Sequence, residues 1–221
     1  MRKYWTGCIL LSTALSSSAV TLGRHNGQAI VGRPLDIRLQ LIAAPDEDPA
    51  SQCLGADVFY GDTQVAPGLV TVTLQRGASG AETTVRVQAA PAVNEPFVSL
   101  YMRAGCDGAF TRRYTLLADP LSEPAVAAVP AAWSQAQNSI RAITTTTEGG
   151  NDVVRVELDK PLTELPKGFS IQSPARIALD FAGVGNSTGR TSLELNQGNI
   201  KSANVVEAGD RTRVVLNLGQ A

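Results

Sequence analysis

The residues best suited to chemistry in this chain are arginines and carboxylates in its last third. Arg176 and Asp180 are four apart in the segment Arg176-Ile177-Ala178-Leu179-Asp180-Phe181. That spacing puts both on one face of a β-strand, with Ile177, Leu179 and Phe181 on the other. Arg211 and Arg213 flank the start of a later alternating segment. A guanidinium is a planar fork of donors that matches carboxylates and hydroxyl pairs. These four residues therefore form a candidate polar surface for glycan hydroxyls or peptide carboxylates. The same spacing also fits a cross-strand charge pair on a solvated sheet face.

The other chemistry-bearing types are scarce. His25 is the single histidine, close to the expected mature N-terminus. A Ser-His-Asp or Cys-His site would have to be built on it, and a His-rich zinc site is out of reach. The sequence has no P-loop and no glycine fingerprint between a strand and a helix. The run Asp46-Glu47-Asp48 reads as solvated loop charge rather than a glycosidase-type carboxylate pair. Asn186-Ser187-Thr188 matches the glycosylation sequon and reads as a loop. No catalytic, cofactor-binding or metal-binding residue is assigned, and the expectation is a protein that is not an enzyme.

The chain of 221 residues carries 19 Lys and Arg against 20 Asp and Glu, for a formal net charge of −1. Residues 20–118 hold eight arginines and nine acids, and residues 138–221 hold nine basic and nine acidic residues. Neither half is a polycation, so nucleic acid and anionic membrane surfaces are not expected partners. Arg2 and Lys3, the apolar stretch from Trp5 to Leu15, and Ser17-Ser18-Ala19 have the anatomy of a signal peptide spanning 1–19. The apolar run is well short of the roughly 20 residues that cross a bilayer. Export to the periplasm is therefore expected, with no integral membrane span after signal removal. Cys8 lies inside that run, a poor position for lipidation. Cys53 and Cys106 remain, and an even pair in an exported chain points to a disulfide. Two buried thiols are the alternative.

Behind these residues stand two compositionally different halves. Between Val20 and Ala118 there is no lysine, whereas residues 138–221 contain three lysines and no Cys, Met, Trp or Tyr. The Ala/Pro-rich tract between them, residues 121–137, reads as an extended linker. In the first half, Leu35, Ile37, Leu39 and Leu41 alternate with polar residues, as do Val70, Val72 and Leu74, then Val85, Val87 and Ala89. This period of two, with turn residues at Gly77 to Gly80 and at Cys106-Asp107-Gly108, predicts an antiparallel sandwich of the immunoglobulin-like kind over 20–120. In the second half, Val154, Val156 and Leu158, then Ile177, Leu179 and Phe181, then Val214, Leu216 and Leu218 repeat the pattern. Hairpin turns are predicted at Glu148-Gly149-Gly150-Asn151 and Glu207-Ala208-Gly209-Asp210. The fold class expected is all-β: two small antiparallel β-sandwich domains, 20–120 and 138–221.

Two resemblances follow from these segments. Val20-Thr21-Leu22-Gly23, the stretch Val31 to Leu39, Asn94-Glu95-Pro96-Phe97-Val98 and Arg113 to Pro120 resemble the N-terminal periplasmic domain of the FimV/HubP family, although Arg38 stands where an acid is usual. The stretches Pro174 to Gly183, Leu193 to Ala203 and Thr212 to Leu218 resemble an AMIN domain, specifically that of the PilQ-type pilus secretin. Both resemblances imply type IV pilus assembly in the periplasm, and the second implies peptidoglycan as a partner of Arg176, Asp180, Arg211 and Arg213. Pilus and secretin proteins are further implied partners. The resemblance suggests a non-catalytic anchoring or scaffolding protein. A chaperone-like component acting by β-strand addition and a targeting partner of a wall amidase are the alternatives. The chain ends where an AMIN domain usually supplies one more strand. An unpaired edge on the strand ending at Leu218 is therefore expected, as in a fragment or fusion.

Overall fold

The computed structural model describes residues 21–42, 53–76, 83–105, 110–121 and 138–220. The signal sequence with Cys8, the acidic run, the Gly77–Gly80 turn, Cys106 and residues 122–137 of the linker lie outside the described residues. Apart from a 3-10 turn at Pro67–Leu69, the described regular structure is all strand.

The first half contains nine strands: β1 (Thr21–Asn26), β2 (Ala29–Ile30), β3 (Pro34–Ile42), β4 (Leu54–Tyr60), β5 (Thr63–Gln64), β6 (Val70–Arg76), β7 (Thr83–Ala92), β8 (Phe97–Ala104) and β9 (Phe110–Asp119). They form two sheets, ordered β1-β3-β7-β6 and β2-β9-β8-β4-β5. Lettered in chain order, with β2 as the second part of a split first strand, the sheets read A-B-E-D and A′-G-F-C-C′. That is the immunoglobulin-like arrangement. β2 runs parallel to β9, while β3–β7, β6–β7, β4–β8 and β8–β9 are antiparallel.

The alternation in the sequence explains why the sheets face each other. Leu35, Ile37, Leu39, Leu41, Val85 and Val87 are almost fully buried, and they meet Val58, Val98, Leu100 and Met102 from the other sheet in one core. Two phenols tie the layers. Tyr114 Oη donates to the Gly23 carbonyl and Tyr60 Oη to that of Pro91, both at 2.8 Å, as buried hydroxyls need partners.

The second half contains β10 (Asn138–Glu148), β11 (Asn151–Leu158), β12 (Lys167–Ile171), β13 (Arg176–Ala182), β14 (Val184–Asn186), β15 (Ser192–Gln197), β16 (Ile200–Ala208) and β17 (Arg211–Leu218). A three-stranded sheet, β11-β10-β14, packs over a five-stranded one, β12-β13-β17-β16-β15. Both expected hairpins form: Glu148 pairs with Asn151 and Ala208 with Arg211. Gly149 and Gly150 both have positive φ, 60° and 85°, the requirement of the tight turn whose twist matches the strands. Val154, Val156, Ile177, Leu179, Phe181, Val214 and Leu216 all point into the second core with Ile140, Ile143 and Val205.

One expectation is corrected here. β17 is not an open edge: it pairs along its length with β13 on one side and β16 on the other. The late-coming strand is inserted in the middle of the sheet, and the edges fall to β12 and β15. Strand addition at β17 is thereby closed off.

Candidate functional site

Three of the four polar residues singled out by sequence, Asp180, Arg211 and Arg213, come together, and the reason is register; Arg176 lies four residues along the same face of β13, opposite Asn217. Asp180 on β13 stands directly opposite Arg213 on β17, while Ala182 stands opposite Arg211. Because side chains alternate, the face of β13 carrying Arg176, Ala178 and Asp180 is the one turned away from the second core. Sequence leaves open whether this face is a binding surface or a solvated charge pair. In the structure it meets the end of the first half.

Arg213 is fully buried, with no exposed surface. A guanidinium has five N–H donors, and each has an acceptor. Nε donates to Asp180 Oδ1 and Nη2 to Asp180 Oδ2, both at 2.6 Å. Nη2 also donates to Asp119 Oδ1 at 3.0 Å, and Nη1 donates to the carbonyls of Pro96 and Ala118, each at 2.7 Å. The ring of Phe169 on β12 lies 4.9 Å from the guanidinium carbon, within cation–π range. Three of the five donor–acceptor contacts thus reach across to the first half.

Around this centre the pattern repeats more loosely. Arg211 bridges Asp119 Oδ1 at 3.3 Å and Asp180 Oδ2 at 3.4 Å through Nη1, with Nη2 on Asp119 Oδ2 at 3.4 Å. Arg176 makes a two-pronged contact with Glu95, from Nε and Nη2, at 3.2 Å each. Three cations therefore face three carboxylates. Burial raises the Glu95 carboxyl above its usual value, the Arg176 charge and hydrogen bonds pull the other way, and Asp62 adds to the rise. Beside the charges, Phe97 and Leu117 of the first half pack on Val215, with Val206 and Ala208 against them. A shallow groove of about 430 Å³ runs along the same seam, lined by Tyr60, Gln64, Pro91, Asn94, Pro174 and Arg176 among others.

The partners Glu95, Pro96, Phe97, Leu117, Ala118, Asp119 and Phe169 carry no sequence signal of their own as a site. The first-half segments stand out only as motifs that support the first family resemblance, and Phe169 belongs to neither resemblance. One usable signal is Arg213 itself, a charge inside the apolar strand that continues as Val214-Val215-Leu216. Such a residue must find buried acceptors.

The remaining sequence candidates are elsewhere. Cys53 immediately precedes β4, whose Leu54 pairs with Ala104, and Cys106 lies outside the described residues. His25 packs edge-on to Tyr114 at 5.9 Å, and burial followed by the Arg112 charge lowers its pKa. Asn186, expected in a loop, instead ends β14 opposite Ile140, and its Oδ1 accepts from the Thr188 N–H at 3.0 Å. Among the described residues there is no group of three or more His, Cys, Asp or Glu placed to hold a metal. No described helix is long and apolar enough to cross a membrane.

The geometry defines a β-sheet domain fastened to an immunoglobulin-like sandwich, and comparison with known proteins specifies the former. Residues 138–221 match the AMIN domain family, so the second half is an AMIN domain. The Fimbrial assembly protein PilQ of Pseudomonas aeruginosa is 48% identical over 65 residues, which cover 29% of this chain and 9% of that protein. The Type IV pilus biogenesis and competence protein PilQ of Neisseria gonorrhoeae is 38% identical over 68 residues, 31% of this chain and 9% of its own length. The chain thus spans about a tenth of these relatives. A solved structure of FdeC, an Escherichia coli adhesin, covers 95% of this chain and 58% of its own at 14% identity. The TM-score of that superposition is 0.28.

Proposed function

We propose that this chain is a non-catalytic periplasmic binding and scaffolding protein of type IV pilus secretin assembly, anchored to peptidoglycan through its AMIN domain. The observation that carries the reading is the AMIN match over 138–221 together with 48% identity to a PilQ protein. In this reading the first half is a FimV/HubP-like module that addresses other pilus components, and residues 1–19 direct export. The domain division is 20–120 and 138–221 about the 121–137 linker. The two separate hydrophobic cores support that division. A disulfide between Cys53 and Cys106 belongs to the same proposal. The β4–β8 register, which brings residue 53 to the end of the ladder beside residue 105, supports it.

Arg176, Asp180, Arg211 and Arg213, the wall-binding candidates of the sequence, are engaged at the seam, so in this reading the wall contact falls on AMIN surface that the seam leaves open. On the outer face of the three-stranded sheet, exposed Thr144 stands opposite exposed Arg155, a hydroxyl and a guanidinium suited to glycan and peptide groups. The test is sedimentation of the purified mature chain with insoluble peptidoglycan. Retention that weakens several-fold in Arg155→Ala supports anchoring through this face. Failure of the unmodified chain to sediment would end the wall-binding reading.

A further inference from the structure

We infer that the arginine face of the AMIN domain is a docking surface whose occupant is the first half of this same chain, so that the two halves move as one body. The inference builds on the AMIN assignment but not on what the domain binds elsewhere.

The surface makes specific demands of an occupant. Arg213 offers three donors beyond those answered by Asp180. They need two carbonyl oxygens close together and a carboxylate beside them. The end of the β8–β9 ladder supplies that set. The Ala118 N–H donates to the Pro96 carbonyl at 2.9 Å, so the oxygens of Pro96 and Ala118 are fixed near each other where the ladder stops. Asp119 follows at once and Glu95 precedes. Arg213 in effect caps the open end of a β-ladder. An arbitrary protein surface does not present converging carbonyls between two carboxylates at this spacing.

The alternatives for such a residue are poor. With the first half removed, three donors of Arg213 would turn from fixed acceptors to water, and Val215 would lose the apolar cover of Phe97 and Leu117. A charged group buried and fully satisfied specifies one arrangement, because a shifted one leaves donors unanswered. The face also has balanced charge, with Arg176, Arg211 and Arg213 against Glu95, Asp119 and Asp180. An anionic wall ligand would therefore have to displace two carboxylates to reach it. The seam fixes the angle between the immunoglobulin-like sandwich and the AMIN domain.

The test is nuclear magnetic resonance on the full mature chain. Residual dipolar couplings from both halves are expected to fit one alignment tensor, with one tumbling time from ¹⁵N relaxation. In Glu95→Ala/Asp119→Ala they are expected to split into two tensors with shorter tumbling times, while amide shifts inside each core stay in place. If that variant loses either core, Arg176→Ala/Arg211→Ala, altered on the other side of the seam, is read in its place. Asp119→Asn, which keeps an acceptor oxygen for Arg213, is expected to keep the single tensor. Two tensors in the unmodified chain, or one tensor in the folded double variant, would overturn the inference. Peptidoglycan sedimentation of the same samples is a separate readout: loss of the wall reading leaves the tensor result standing, and the reverse.

Discussion

Two arginine–aspartate pairings in this molecule use the same chemistry and come to different ends. On the outer face of the first sandwich, Arg86 Nε donates to Asp36 Oδ1 at 2.8 Å, and Nη2 contacts the other oxygen. Their side chains remain 29% and 40% exposed. At the seam, Arg213 and Asp180 make an equally direct two-pronged contact with exposures of 0% and 10%. Water screens the first pair and competes for its donors, so it contributes little. The second pair has no water to fall back on, and its worth lies in what happens if one member is missing. Pairing geometry does not distinguish a decorative ion pair from a joint; what lies over it does. The carboxylates register the same contrast. Hydrogen bonding to Arg86 lowers the Asp36 pKa, while burial raises that of Glu95 despite its arginine.

The sharpest way to break this comparison is to remove the central cation. Arg213→Leu leaves Asp180 and Asp119 facing a buried gap and is expected to destabilise the chain by about 3–5 kcal/mol, read from urea midpoints. An effect no larger than that of Arg86→Ala would erase the distinction between the two sites. A second contrast concerns how each half is fastened. If Cys53 and Cys106 are bonded, reductant lowers the first core by about 2–4 kcal/mol in the chain-entropy model. The AMIN domain, with no cysteine, loses only what the seam transmits. Free thiols that titrate before unfolding, with an unchanged melt, would dispose of the bond.

Smaller effects separate the two carboxylates by the sign of their pH dependence. Glu95 binds its proton more tightly folded than unfolded, so its ionisation opposes folding. Stability should fall as pH rises from the ordinary value of 4.5 through the raised one. Glu95→Gln should flatten that window in a pH series of urea melts; an unchanged slope would remove Glu95 as its source. Asp36 has the opposite sign: its contribution is present above the ordinary aspartate value and is lost as pH falls. Arg86→Ala should remove that small acid-side dependence. Its effect at neutral pH should be the weakest of all and should vanish near 1 M salt, where screening acts over about 3 Å. A salt-independent loss would show that Arg86 is not merely a surface partner.

Much of the fold is legible from alternation. Leu35 to Leu41 and Val85 to Ala89 bury the face that their period of two assigns, because a half-buried strand writes its burial directly into residue order; Ile177 to Phe181 and Val214 to Leu218 turn the assigned face to the second core but also bury Ala178 and Val215 on the other face. Strand order is not written that way. Nothing local in Arg211–Leu218 says that it is flanked by β13 and β16, so the resemblance to a domain with one more strand leads to an expected exposed edge where the structure has a sheet centre. The candidate site was half legible for the same reason. Arg176, Asp180, Arg211 and Arg213 were found as one polar face, but their partners Glu95 and Asp119 lie 81 to 94 residues away in sequence.

The sequence by itself determined that this chain is built of β-strands, which side chains enter each core, and that the AMIN face holds an arginine–aspartate cluster. Those facts follow from side-chain alternation and residue type, which are local. Only the tertiary structure decided what the cluster faces. Whether a guanidinium meets water, a ligand or the carbonyls at the end of another sandwich depends on which surfaces are brought together. That choice depends on the joint satisfaction of five donors, three carboxylates and an apolar patch drawn from both halves, which no single segment encodes.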